Sequence, residues 1–148
     1  MGQISAPGDS SVQRVAEVLI REALSARLGM PLDPLPVDMG DGTRVDLDAA
    51  SPDRSVIAEI WAHQGVPKPA QKAKVMTDAL KLLWVGSVRY PAARRILVLA
   101  DEGAARHFVE GRTWMARALR DLGVEVVVVD LTEEVKLGIR EAQAGQIR

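Results

Sequence analysis

Three acidic residues on two short extended segments are the first candidates for chemistry in this chain. Asp46 and Asp48 alternate with apolar residues in TRVDLD, and Glu59 lies in the middle of the apolar run SVIAEIWA. A carboxylate within a buried strand costs free energy unless a cation or hydrogen-bond donors compensate it. Carboxylates that converge from neighbouring strands are oxygen ligands of the kind that Mg²⁺ prefers. These acids therefore predict either a metal site or an ion pair with Arg44 or Arg54.

The segment that follows carries a second set of polar side chains. With an advance of about 100° per residue, Gln71, Lys74, Asp78 and Lys81 fall within one arc of about 80° on a helix. The arc borders the apolar stripe, so a lysine such as Lys74 can reach a strand edge and orient or deprotonate a water molecule. The alternative is an ordinary amphipathic helix whose Lys–Asp pairs lie in solvent and contribute little.

His63 is a further candidate, because it shares a strand face with Glu59. It would contact a phosphate group or a water molecule at the end of the strand. The alternative is a histidine that bonds only to the backbone. Trp61, on the same strand face, is expected to be a packing residue.

Charge is distributed unevenly along the chain, although its formal net charge is only −1. Residues 1–61 hold five basic and ten acidic residues, residues 62–95 hold seven and one, and residues 96–148 hold seven and nine. A basic band beside acidic groups would bring a phosphate backbone next to a metal site. The alternative is a set of solvated surface charges. The candidate nucleic-acid contacts are Lys68, Lys72 and Lys81.

The apolar pattern predicts the elements that would position these side chains. Residues 1–10 are expected to be disordered and residues 11–148 to form a single domain. The predicted order is α-β-β-α-β-α-β-α, an α/β fold with a mixed central β-sheet flanked by helices. The two acidic strands should form an antiparallel hairpin, and ILVLA and VEVVVVD should be parallel strands of a β-α-β unit. MPLDPLPVDMGDG, rich in proline and glycine, predicts a loop.

Composition and missing motifs exclude several classes of protein. The chain has no cysteine, which excludes disulfides and thiol chemistry. The N-terminus lacks the apolar core of a signal peptide, and no apolar run approaches a membrane span. A cytoplasmic protein is therefore expected. Neither G-x-x-x-x-G-K-[ST] nor G-x-G-x-x-G is present, so the β-α-β unit is not an evident nucleotide-binding site.

The arrangement of these motifs resembles the restriction-endonuclease-like, or PD-(D/E)XK, nuclease superfamily. The resemblance covers about residues 12–130 and rests on the order helix, Asp-bearing strand, turn, Glu-bearing strand, helix and β-α-β unit. The run A-H-Q-G…Q-x-x-K-x-x-x-D-x-x-K-L is also similar to small, uncharacterised bacterial proteins of this type. The superfamily carries a lysine two residues after the second acid, where this chain has Trp61.

The resemblance implies a metal-dependent endonuclease that hydrolyses phosphodiester bonds of DNA. Mg²⁺, or Mn²⁺ in its place, would be bound by Glu59 and by Asp48 or Asp46, with Asp48 favoured. Lys74 would supply the missing lysine and orient the attacking water, and Gln71 would position that water. His63 remains a catalytic candidate from its place on the Glu59 face of the strand. The expected partner is nucleic acid, DNA in particular, with a homodimer or a protein partner as further expectations. The alternatives are a catalytically inactive relative that binds nucleic acid or a protein, and a purely structural polar network.

Overall fold

Five strands form one mixed sheet in the computed structural model, which describes residues 7–146. The strands are β1 (Asp33–Gly40), β2 (Thr43–Ala50), β3 (Val56–Trp61), β4 (Arg94–Leu99) and β5 (Val124–Val128). The helices are α1 (Pro7–Leu28), α2 (Pro69–Arg89), α3 (Glu102–Glu110), α4 (Trp114–Asp121) and α5 (Glu133–Gln146). The strands lie in the order β1-β2-β3-β4-β5, so neighbours in sequence are neighbours in the sheet.

The strand directions agree with the sequence pattern. Strands β2 and β3 pair antiparallel, which confirms the predicted hairpin of acidic strands. Strand β4 is parallel to both β3 and β5, which confirms the predicted β-α-β unit. Parallel neighbours need a crossover connection, and helix α2 provides it between β3 and β4. The α/β class and the mixed sheet flanked by helices are therefore confirmed.

Strand β1 occupies the segment that was predicted to be a loop, and that prediction is wrong. Pro34 and Pro36 cannot donate to a ladder, but β1 pairs only with β2 and therefore tolerates them at the edge of the sheet. Asp41 and Gly42 join the two strands with φ angles of 53° and 76°. Positive φ at both central residues is typical of a type I′ turn, for which Asp-Gly is a preferred sequence.

The observed order is α-β-β-β-α-β-α-α-β-α, with one strand and one helix more than predicted. The added helix is α3, whose first turn is capped by Asp101; the Asp101 side chain accepts a hydrogen bond from Ala104 N at 2.9 Å. Helix α1 begins at Pro7, so residues 7–10 are helical where disorder was predicted. Residues 1–6 of that predicted segment lie outside the described residues.

Two apolar cores lie on the two faces of the sheet. Helices α2, α3 and α4 pack on one face, against residues that include Ile57, Trp61 and Leu97. Helices α1 and α5 pack on the other, against residues that include Ala58 and Ile60. Since strand residues alternate between faces, Glu59 belongs with Ile57 on the α2 side. None of the helices within residues 7–146 has the length and apolar character needed to cross a membrane.

Candidate functional site at the fork between β2 and β3

Strands β2 and β3 separate where the acidic residues lie. Their ladder contains only the pairs Ala50–Ile57 and Ala49–Ala58. Beyond it, two side chains replace the ladder: Asp48 N donates to Glu59 Oε2 at 2.8 Å, and Ile60 N donates to Asp48 Oδ2 at 2.8 Å. Asp48 and Glu59 are thus held against each other at the fork. Of the two aspartates considered as the first acid, Asp48 is the one that contacts Glu59.

Lys81 provides the positive charge that compensates buried Glu59. Its ammonium group forms an ion pair with Glu59 Oε1 and donates to the backbone carbonyl of Asp46 at 2.8 Å. The Glu59 side chain is only 1% exposed, so its partner cannot be replaced by bulk water. Neither predicted arginine has this role; Arg54 instead donates to the carbonyls of Ser51 and Pro52.

Two adjacent carboxyl groups and one ammonium group determine the electrostatics of the fork. Burial and the charge of Asp48 raise the pKa of Glu59 to about 8, against the opposing effects of Lys81 and the Asp48 N–H. Burial works to lower the pKa of Lys81, but its contact with Glu59 and the charges of Asp48 and Asp78 raise it on balance. Lys81 is therefore protonated at neutral pH, and an added cation at the fork would favour ionisation of Glu59.

Lys74 lies near the fork but pairs with a different acid. Its ammonium group is 2.6 Å from Asp78 Oδ1, one helical turn further along α2. Asp78 is buried, and that burial raises its pKa despite the contact with Lys74. Burial raises the pKa of Glu17 and the charge of Lys74 opposes that rise, while burial and, to a smaller extent, Lys74 lower the pKa of His63. Lys74 is thus positioned for electrostatic influence, whereas Lys81 makes the direct contact.

A cavity of about 290 Å³ opens beside the fork on the α1 side. Glu17, Arg21, Asp46 and Asp48 contribute its polar lining, together with apolar residues that include Ile60. Partial burial and the charge of Asp48 raise the pKa of Glu17. Glu17 was not among the residues predicted from the sequence. Its place next to the buried series Ala16, Ile20 and Leu24 of helix α1 indicates a partly buried side chain, but not that it faces the fork.

The other predicted residues lie away from the carboxylates. His63 Nδ1 is 3.5 Å from Gln71 Nε2, and Lys68 lines the same cavity as these two side chains. Burial lowers the pKa of His107, and the charge of Lys72 lowers it further. Lys81 therefore belongs to the fork, while His63, Gln71 and Lys68 line a second cavity and Lys72 lines neither.

Trp61 occupies the position at which the nuclease superfamily carries its lysine. The side chain is buried within the core on the α2 face, with its ring centroid 5.1 Å from that of His63. Its indole Nε1 is buried and has no hydrogen-bond partner within the described part of the chain. The predicted packing role of Trp61 is confirmed, and no lysine from β3 itself reaches the fork.

The fork offers a small set of oxygen ligands. Within residues 7–146, no three acidic or histidine side chains converge closely enough to hold a metal ion together. Mg²⁺ is commonly held by one or two carboxylates, with water and substrate oxygens completing its coordination. Asp48 Oδ1, which has no hydrogen-bond partner within residues 7–146, and the Glu17 carboxylate facing the same cavity fit that pattern. Glu59 fits it only if Lys81 releases Oε1.

Comparisons with known proteins identify no relative. No protein-family model matches the chain, and no curated protein or solved structure is significantly similar to it. The geometry of the fork is therefore the basis for any functional conclusion.

Proposed function

We propose that this protein is a metal-dependent nuclease with a restriction-endonuclease-like fold, which hydrolyses phosphodiester bonds of DNA at the fork between β2 and β3. The observation that carries this proposal is the contact between Asp48 and Glu59 across separating strands, with Lys81 on Glu59. The two carboxylates offer oxygen ligands of the kind that Mg²⁺ prefers, and the lysine offers an N–H donor beside them. The antiparallel β2–β3 pair followed by a parallel β3–β4 pair supports the same fold.

The metal, Mg²⁺ or Mn²⁺, would be held by Asp48 together with one further carboxylate, Glu59 or Glu17, and by water and phosphate oxygens. The exposed Asp46 lines the same cavity as Asp48 and adds negative charge there. A bound Mg²⁺ lowers the pKa of water and offsets the negative charge that develops on a phosphoryl group. The raised pKa of Glu59 favours this assignment, because a cation would remove part of the penalty for ionising adjacent carboxyl groups.

Lys81 replaces, from helix α2, the lysine that Trp61 displaces from β3. An ammonium group has three N–H donors, and Lys81 uses two of them on Glu59 and on the carbonyl of Asp46. The third donor, together with the one that is freed if Glu59 Oε1 turns to the metal, is available to orient a water molecule or a phosphate oxygen. Lys74 adds positive charge near the cavity beside the fork that Glu17 lines, and this charge favours the approach of an anionic substrate.

A catalytically inactive relative that binds nucleic acid or a protein partner is the second candidate. The observation in its favour is that both oxygens of Glu59 already have protein partners, Lys81 and the Asp48 N–H. A purely structural network would need no metal at the fork. The two candidates therefore differ in whether the fork binds a divalent cation.

Calorimetric titration of Mn²⁺ at low salt tests the proposal. We expect wild-type protein to bind Mn²⁺ at millimolar concentration or below, and Asp48→Asn and Glu59→Gln to lose that binding. Glu125→Gln is the matched control, because Glu125 pairs with Arg94 on the surface, away from the fork. Absence of Mn²⁺ binding in wild type, or equal binding in all four proteins, would favour the inactive relative.

A further inference from the structure

A second cavity, of about 320 Å³, lies where the chain leaves β3 and contacts the start of α2 and the end of α5. Its polar lining consists of imidazole, amide, ammonium and guanidinium groups: His63, Gln64, Lys68, Gln71, Arg140 and Gln143. No aspartate or glutamate lines it. We call it the His63 cavity. A cavity lined by cations and neutral donors, without an acid, has the electrostatic character of an anion site.

Hydrogen bonds to the backbone fix the glutamine side chains of the His63 cavity. Gln143 Oε1 accepts from Gln64 N at 2.7 Å, and its Nε2 donates to Gln64 O at 3.1 Å. Gln71 Oε1 accepts from Lys68 N at 2.9 Å. The amide oxygens of Gln71 and Gln143 are thus engaged by backbone N–H groups, and the third glutamine of the lining, Gln64, donates through Nε2 to Ala100 O at 2.9 Å. The Gln71 Nε2 group remains as an amide donor beside His63.

His63 lies between these two amides. Its Nδ1 is 3.5 Å from Gln71 Nε2, and Gln143 is its other side-chain neighbour. Burial and the charge of Lys74 lower its pKa, so the imidazole is neutral at physiological pH and keeps one N–H donor. The donor set around the cavity thus includes the His63 ring as well as the amides.

The two cations of the His63 cavity have no acidic partner within residues 7–146. Neither Lys68 nor Arg140 forms an ion pair there. Arg140 and Gln64 also line the neighbouring cavity at the ends of β4 and β5, whose acids are Asp101, Glu102, Asp130 and Glu133. Asp130 and Glu133 pair with Lys136, and Arg140 forms no ion pair with these acids.

We propose that the His63 cavity binds a phosphate group, with Arg140 and Lys68 supplying charge and with Gln71 and His63 supplying directed N–H donors. Arginine is suited to this role because its planar fork of N–H groups matches two phosphate oxygens. The phosphate belongs either to a nucleic-acid strand, which rests on the proposed function, or to a free phosphate or phosphorylated small molecule. The cavity itself contains no residue of the β2–β3 fork.

NMR of the histidine ring resonances provides a direct test, because the chain has only two histidines, His63 and His107. Titration of inorganic phosphate should shift the ring signals of His63 and leave those of His107 nearly unchanged. Arg140→Gln and Lys68→Gln should each weaken phosphate binding about tenfold, which corresponds to about 1.4 kcal/mol. Arg106→Gln is the matched control, since Arg106 lies on α3 in an exposed pair with Glu110. Unshifted His63 signals at millimolar phosphate, or equal weakening in Arg106→Gln, would overturn the proposal.

Oligonucleotides with and without a terminal phosphate distinguish the two sources. If the phosphate belongs to a nucleic-acid strand, both oligonucleotides should shift the His63 signals. If the site prefers a terminal phosphate of that strand, the phosphorylated oligonucleotide should give the larger shift. If inorganic phosphate shifts His63 while neither oligonucleotide does, the phosphate site stands and its ligand is a free or small-molecule phosphate. Asp48→Asn, which disables the fork, should bind phosphate like wild type, so failure of the nuclease proposal leaves this result intact.

Discussion

Lys81 on helix α2 forms an ion pair with Glu59 in the middle of β3. This contact explains how an apolar strand that is buried along its whole length accommodates a carboxylate. It also joins the helix to the fork at which Asp48 closes the ladder between β2 and β3. Lys81, Glu59 and Asp48 thus contribute both to the stability of this region and to its proposed chemistry. Variants of these residues therefore need measurements of stability as well as of activity.

The pH dependence of stability should reveal the buried carboxyl group of Glu59. Its pKa rises from 4.5 to about 8 on folding, so the folded state binds the proton more tightly than the unfolded state. The resulting stabilisation is fully present below about pH 4.5 and is lost as the pH rises through about 8. Between these limits the free energy of unfolding of wild type should fall relative to that of Glu59→Gln by several kcal/mol, since one unit of pKa shift corresponds to about 1.4 kcal/mol.

Urea denaturation of both proteins at several pH values between those limits measures this difference. Glu125→Gln is again the control, because Arg94 lowers the pKa of Glu125 and that carboxyl group is ionised throughout the range. Parallel stability profiles for wild type and Glu59→Gln would contradict a raised pKa of Glu59.

Removal of Lys81 should destabilise the fold more than removal of a surface cation. Lys81→Met leaves the Glu59 carboxyl group buried without its partner, and we expect a loss of about 3 kcal/mol in the free energy of unfolding. Arg117→Met, which breaks an exposed pair with Asp121, should cost no more than about 0.5 kcal/mol. The double variant Glu59→Leu/Lys81→Met should recover most of the loss, since apolar groups can replace a buried ion pair. Equal effects of Lys81→Met and Arg117→Met in urea denaturation would argue against the ion pair.

The close contact between helix α2 and the start of β4 yields a third prediction. A Cβ atom at Gly86 would lie 2.1 Å from the Arg95 Nε atom, which is buried. Gly86→Ala must therefore displace the flexible end of the Arg95 side chain, and we expect it to lower the free energy of unfolding by no more than about 1 kcal/mol, because the helix preference of alanine offsets part of the cost. At Gly138, in α5, a Cβ atom would meet Val12 at 3.8 Å, an ordinary contact. Gly138→Ala should be neutral or stabilising by up to about 1 kcal/mol.

Thermal or urea denaturation of the two alanine variants decides this prediction. The double variant Gly86→Ala/Arg95→Ala serves as the test of cause, because removal of the guanidinium group removes the clash. Gly86→Ala should cost less in that background than in wild type. Equal stability of Gly86→Ala and Gly138→Ala would mean that Arg95 moves aside without penalty.

Much of the fold follows from local patterns in the sequence. The apolar runs at β3, β4 and β5 and the helical spacing of α2 are strong signals, and the strand directions follow from their connections. Strand β1 gave the opposite signal, because Pro34 and Pro36 are turn-forming residues in most settings. Only its place at the edge of the sheet makes the prolines acceptable, and edge position is a property of the whole fold.

Asp48, Glu59 and Lys81 could be predicted from the sequence as candidate site residues, but the contacts between them could not be predicted. Helical periodicity placed Lys74 and Lys81 on one arc, yet which lysine reaches Glu59 depends on where α2 packs along the sheet. The choice between Asp46 and Asp48 likewise depends on the ladder, which ends at the Ala49–Ala58 pair. Glu17 approaches the fork from a distant helix, and no local pattern predicts that approach.

Cleavage of plasmid DNA in the presence of Mg²⁺ or Mn²⁺ tests the central claim most directly. Wild-type protein should cut the DNA only when the divalent metal is added, and Asp48→Asn and Glu59→Gln should be inactive while still folding. Glu125→Gln should cut at the wild-type rate, because its site is remote from the fork. Three results would contradict a metal-dependent nuclease site at the β2–β3 fork. They are cleavage without added metal, cleavage by the Asp48 and Glu59 variants at the wild-type rate, and no cleavage by folded wild type.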